Sequence, residues 1–256
     1  MKPSVRDTRP PRVNILRQIW VVFWVGAVMA TLFTAWTPLG IFPIGLIEGI
    51  QAAISPEEDG ELLLITPTPR PRPRVGIVAG HWGSDSGTVC DDGLTEQEVN
   101  QEIATLVKES LVAAGLDVDL LMENDDLLPQ YQARALVSIH ADSCAFVDIN
   151  ATGFKVAATL ATTTPEKTGR LVACLYNRYQ TATGLPFHSG SITSDMTSYH
   201  AFDEIDSDTT AAIIETGFLN LDRQILTQNQ YQVAQGISEG ILCFIYNQDA
   251  ELPSQP

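Results

Sequence analysis

From residue 75 onward, three short, mainly apolar runs, "VGIVA" (75–79), "LVSIHA" (136–141) and "AAIIETG" (211–217), constrain the fold most. Strands covered on both faces read as continuous apolar runs, whereas a half-exposed strand alternates. Helical periods separate them. Thr95 and Glu98 form a capping box ahead of a helix whose Val99, Ile103, Leu106 and Val107 share a face and which Gly115 ends. Pro165, after Thr164, opens a second helix running to about residue 181, and the last runs from Gln230 to Tyr246 with Val233, Ile237, Ile241 and Phe244 as its core face. "DVDLLM" (117–122) and "GFKVAAT" (153–159) read as further strands, and "LLPQYQARA" (127–135) as a short helical turn. A polar stretch of roughly 25 residues before "AAIIETG" is long enough to be a functional loop. The expectation is an α/β domain with a mostly parallel central sheet flanked by helices.

The rest of the chain is organised differently. Residues 1–18 carry Lys2, Arg6, Arg9, Arg12 and Arg17, and residues 19–36 carry no charge. An apolar run of that length behind a basic flank predicts a transmembrane anchor with the following domain exported. A cleaved signal peptide is the alternative, but "TLFTAWTPLG" offers only a poor cleavage site. Residues 37–74, ending in "TPTPRPRPR", read as an extended Pro-rich linker. Residues 75–247 are expected to form one folded domain and 248–256 a tail. The expected location is the cell membrane, single-pass, with the domain outside the cytoplasm, or secretion if the segment is cleaved. From residue 75 on, 7 Lys and Arg face 25 Asp and Glu. So acidic a domain repels nucleic-acid backbones, and nucleic acid is excluded as a partner.

Ligands in open α/β sheets sit at the carboxyl ends of the strands. His81 follows "VGIVA", His140 ends "LVSIH", Glu215 ends "AAIIE", and Glu96 opens the helix that starts from the same edge. Two imidazoles and a carboxylate suit Zn2+ with a position left for water, and a further carboxylate can move that water's proton. Taken singly these residues are weak signals: a histidine after a strand is more often structural, and a Glu in a first turn serves the helix dipole. Glu215 is harder to dismiss, because a carboxylate at an apolar strand end needs a partner.

Four segments in order, "GIVAGHWG", "GLTEQEVN", "LVSIHADS" and "IIETGFLN", with "YQVAQGISEGILCFIY" closing the domain, resemble the zinc-dependent N-acetylmuramoyl-L-alanine amidases of the amidase 3 type. The resemblance implies a cell-wall hydrolase whose substrate partner is peptidoglycan and whose cofactor is Zn2+. It implies that His81, Glu96 and His140 are the metal ligands, that Glu215 is the catalytic carboxylate, and that the amide between N-acetylmuramic acid and L-alanine is cut. Two departures bear on substrate contacts. Trp82 stands where a small residue is usual, and "HAFDEIDSDTTAA" replaces the usual Leu-Arg pair and proline. About a dozen residues separate His140 from "GFKVAAT", which leaves no room for the helical plug some relatives carry. A zinc peptidase acting on another amide, or an anchored wall-binding protein with weak catalysis, are the other readings. His188 and His200 read as loop histidines. An exported domain can hold disulfides. Cys90 and Cys144 lie in loops on the same rim and are expected to pair; both stand apart from the four segments, which counts against metal ligation. Cys174 and Cys243, in apolar helical patterns, are expected to be buried free thiols.

Overall fold

The computed structural model describes residues 20, 22–29, 71–160 and 163–251. The chain divides into a unit 1–67 and a unit 68–256. In the first, residues 20 and 22–29 are helical, and among the described residues no helix is long and apolar enough to cross a membrane. The expected basic tail 1–18, half of the expected anchor 19–36, nearly all of the linker 37–74 and the final residues 252–256 lie outside the described residues.

The second unit is built on a five-stranded sheet, β1 (Arg74–Ala79), β2 (Asp117–Leu121), β3 (Ala135–Asp142), β4 (Lys155–Ala158) and β5 (Thr210–Phe218), in the order β2-β1-β3-β5-β4. All neighbours are parallel except β4, which pairs antiparallel with β5 at the edge. The three apolar runs of the sequence are the three central strands, buried along nearly their whole length. Parallel pairing requires crossovers. Helix α1 (Glu96–Ala113) links β1 to β2, and α2 (Pro165–Thr183) lies between β4 and β5 in the chain. Thr95 caps α1 as expected: its hydroxyl accepts the Glu98 N–H, and the Glu98 carboxylate accepts the Thr95 N–H.

Each face of the sheet has its own cover. Val75, Ile77, Val137, Ile139, Ala212 and Ile214 pack against α1, α2 and the last helix, α6 (Gln230–Ile245). Val78, Leu136, Ala211 and Ile213 pack against the long polar stretch. That stretch is not bare loop: a 3₁₀ turn (Ser189–Ser191), α3 (Ser194–Thr197) and α4 (His200–Glu204) place Met196, Tyr199, Phe202 and Ile205 in the core. A short α5 (Arg223–Gln228), not expected from the sequence, precedes α6.

Two expectations are corrected. Residues 127–134 form turns and irregular chain rather than a helical turn, and Ala135 already opens β3. Leu128 and Tyr131 anchor the segment in the core, while Gln130 takes φ 59°, which breaks any helix there. Cys174 and Cys243 are not free thiols but a disulfide joining α2 to α6, with Cα atoms 5.7 Å apart. The physical reason is two glycines four residues apart on α6. A Cβ at Gly240 would stand 2.8 Å from the Leu175 Cα, and one at Gly236 2.9 Å from the Tyr179 Cα, so the helices touch backbone to backbone. Buried cysteines on facing sides of such a contact are within bonding reach. Cys90 and Cys144 pair as expected, with Cα atoms 5.4 Å apart.

The Cys174–Cys243 bond closes a loop with a sequence separation of 69. Loop entropy for that length stabilises the fold by about 4 kcal/mol. A Cys174→Ala/Cys243→Ala variant should unfold at lower denaturant by an amount on the order of 2–4 kcal/mol. Denaturation curves that coincide with wild type would show that the bond contributes nothing.

Candidate active site

The four residues singled out in the sequence meet at the carboxyl edge of the sheet. His81 stands two residues past β1, in a turn with φ 67°. His140 is the third residue from the end of β3 and lies beside Glu215 of β5 in register. Glu96 is the first residue of α1, where the free N–H groups and the dipole favour a carboxylate.

Glu96 is 5% exposed and is the node of the cluster. Its Oε1 lies 3.3 Å from both His81 Nε2 and His140 Nδ1, and accepts from Asn100 Nδ2 and the Ala141 N–H, each at 3.2 Å. Its Oε2 accepts the Thr88 N–H at 3.2 Å. Burial pushes the Glu96 carboxyl up, but the bonds from His140 and His81 outweigh it and hold the group well below the usual carboxylate range. The same bond raises His81 to about 9, against burial, with help from Asp85 and Glu123. Asp85 Oδ1 takes His81 Nδ1 at 2.7 Å and so turns Nε2 toward Glu96.

Glycines shape the cradle, which answers why His81 sits among them. A Cβ at Gly80 would stand 2.3 Å from the His140 ring. One at Gly87, where φ is 58°, would stand 2.7 Å from both Glu96 and His81.

Glu215 is bound differently. Its Oε2 is sealed from solvent with no hydrogen-bond partner, and burial raises its carboxyl to about 7, with His140 and Lys155 pulling the other way and Asp142 adding to the rise. Lys155, on β4, is directly opposite Glu215 and is 4% exposed; its Nζ lies 2.6 Å from Asp142 Oδ2. His140 Nε2 is likewise buried and unpartnered. A His/Glu/His set with ligand atoms within 4.8 Å of one another, a glycine cradle and two orphaned polar atoms beside it fit a divalent metal.

Other expectations resolve plainly. Trp82 is partly buried and packs against the core. Residues 143–154 contain no helix, so no helical insertion stands between β3 and β4. His188 contacts Ser191 and the Phe218 ring, and His200 Nε2 bonds the Glu123 carbonyl, so both have local partners. The Cys90–Cys144 bond ties the loop before Glu96 to the loop after His140, and a cavity of about 550 Å³ lies over it, lined in part by Thr88, Asp91, Phe146 and Arg223. Asp85, Glu123, Lys155 and Tyr199 were not singled out from the sequence. Asp85 lies four residues after His81 and Glu123 just past the end of β2, so the strand-end argument extends to Glu123.

The fold and site thus define an α/β protein with a metal-fitting donor set at the carboxyl edge of a mostly parallel sheet. Residues 75–243 match the family model Amidase_3, N-acetylmuramoyl-L-alanine amidase, and the chain belongs to that family. Its activity is hydrolysis of the amide between N-acetylmuramic acid and L-alanine in peptidoglycan. Solved structures agree on the fold. An N-acetylmuramoyl-L-alanine amidase from Clostridium difficile 630 is 22% identical with a TM-score of 0.54, covering 70% of this chain and 99% of its own. The amidase Ami1 from Mycobacterium smegmatis is 18% identical with a TM-score of 0.57, covering 70% and 99%. No curated sequence matches the chain.

The raised Glu215 carboxyl makes a prediction for the metal-free chain. A folded-state value above the unfolded one means stability is fully present below about pH 4.5 and is lost as pH rises through about 7. The loss is on the order of 3 kcal/mol. His81, raised to about 9, adds a decline between about pH 6.5 and 9. Chelator-treated wild type should therefore weaken from pH 5 to 8, and Glu215→Gln should lose the part of that slope below pH 7. A slope unchanged by Glu215→Gln would place the titration elsewhere.

Proposed function

We propose that the chain is a zinc-dependent amidase in which His81, Glu96 and His140 hold the metal and Glu215 is the catalytic carboxylate. The observation that carries this reading is the buried, unpartnered Glu215 Oε2 beside three converging ligand atoms. Zinc bound there supplies Lewis acidity to the amide carbonyl and acidifies water. Glu215 takes a proton from the attacking water as the new C–O bond forms, then delivers it to the amide nitrogen as the C–N bond breaks. The products are a lactyl carboxylate on the glycan and a stem peptide with a free L-alanine amine. A carboxyl raised to about 7 is suited to taking and returning a proton near neutral pH. Asn100 and the Ala141 N–H hold Glu96 in place, and Asp85 sets the His81 ring. The anchored wall-binding alternative has no support in a cluster whose donors and carboxylate are all in place.

We also propose that residues 19–36 anchor the protein in the cell membrane with this domain outside the cytoplasm, on the strength of the basic flank and the uncharged run. Full-length protein should remain with membranes through a carbonate wash; a mature N-terminus mapped beyond residue 36 would make it a secreted enzyme.

The catalytic assignment is tested with purified peptidoglycan. Mass spectrometry should find free stem peptides beginning with L-alanine, and none after chelation. His81→Ala should lose zinc and activity together. Glu215→Gln should keep zinc and lose activity by about 10²–10⁴-fold. A fully active Glu215→Gln, or one without zinc, would show that the wrong carboxylate has been assigned.

A further inference from the structure

His81 carries a backbone strain that the other ligands do not, since φ 67° is a conformation L residues with a Cβ rarely hold without support. The support comes from outside the four matching segments. Glu123, 7% exposed, follows β2. Its Oε2 accepts the His81 N–H at 3.0 Å and lies 3.8 Å from His81 Nδ1. Its Oε1 accepts the Tyr199 hydroxyl at 3.1 Å. Its own backbone is fixed at both ends, the N–H donating to the Trp82 carbonyl at 3.0 Å and the carbonyl meeting His200 Nε2 at 3.1 Å. Tyr199 is itself buried, with its ring against the His140 ring at 5.3 Å.

We propose that Glu123, held by Tyr199, is a positioning residue that locks His81 in its metal-facing conformation, so that metal affinity depends on a strut outside the ligand set. The inference rests on the metal reading of the site. An acceptor on the His81 N–H fixes the peptide plane before it, and that plane fixes where the side chain leaves the backbone. Asp85 then fixes the rotation of the ring. The two carboxylates thus divide the work: Glu123 sets the backbone and Asp85 the imidazole.

The same atoms admit a rival use, because His81, Asp85 and Glu123 also cluster closely enough to hold a cation. Existing bonds argue for the strut. Asp85 Oδ1 already receives His81 Nδ1 and the Gly87 N–H, and each Glu123 oxygen already has its donor. Metal-site partners beyond the ligands commonly change affinity by about 10–100-fold when removed.

The test is a zinc competition titration on the purified full chain with a chromophoric chelator, alongside thermal unfolding of the zinc-free protein. Glu123→Ala should weaken zinc binding by about 10–100-fold. Glu123→Gln, whose amide oxygen still accepts from His81 and whose amide N–H donates to the Tyr199 oxygen, should stay within about threefold of wild type, below the range for a lost partner. Tyr199→Phe should weaken zinc several-fold while the zinc-free melting temperature holds, which keeps the test open even if Glu123→Ala fails to fold. Wild-type affinity in Glu123→Ala or in Tyr199→Phe would overturn the strut. So would Glu123→Gln binding as weakly as Glu123→Ala, since charge and not geometry would then be at work. Two zinc equivalents on wild type, one of them lost in Glu123→Ala, would make the cluster a cation site instead. A wild-type chain that takes up no zinc would overturn the metal reading and the strut together.

Discussion

The rim of this domain depends on the burial of one carboxylate. Glu96 is nearly sealed from water, and a buried charge is costly unless it is paired and hydrogen-bonded. Its compensation is drawn from three places at once: the turn after β1, the end of β3, and its own helix through Asn100. Asn100 also donates to the Gly80 carbonyl, so the helix start is tied to the turn that carries His81. The spacing of two strand ends and one helix start is therefore set by a single ionic node. The same bonds that satisfy Glu96 bring His81 and His140 together at the rim.

Strand order does the rest. Because β3 and β5 are neighbours, His140 and Glu215 emerge side by side, and because β4 closes the edge antiparallel, Lys155 arrives opposite Glu215. The helical layer on one face contributes Glu96. The short turns on the other face contribute Tyr199, which reaches His140 from behind. The site is thus gripped from both faces of the sheet, while the Cys90–Cys144 bond joins the two loops that flank it.

Much of this is written locally in the sequence. Central parallel strands are legible because both their faces are buried, and α1 is legible because Thr95 and Glu98 cap it. The residues proposed to hold the metal are singled out because strand ends and a helix start mark the rim. What escaped depends on contacts far apart in the chain. A helical pattern marks Cys174 and Cys243 as buried but does not reveal that Gly236 and Gly240 bring their helices into backbone contact. Leu128 and Tyr131 suggest a helical turn by composition, yet they are separate anchors joined by a left-handed Gln130. Lys155 sits in an apolar strand, and only the antiparallel register shows that it faces Glu215. Tyr199 lies in a polar stretch whose role as the cover of a sheet face is a tertiary fact.

The acidic balance of the domain acquires a meaning at this rim. Among the described residues, Lys155 and Arg223 near this rim are in ion pairs, Lys155 with Asp142 and Arg223 with Asp92. Neither stands free to grip a carboxylate of an incoming stem peptide, and the segment "HAFDEIDSDTTAA" adds acid where a cation would be expected from the family resemblance. The cavity beside the Cys90–Cys144 bond is lined by uncharged Thr88, Ser143 and Phe146 together with Asp91, Asp92 and Arg223. Binding concentrated at a reacting amide is the kind that can grow stronger in the transition state.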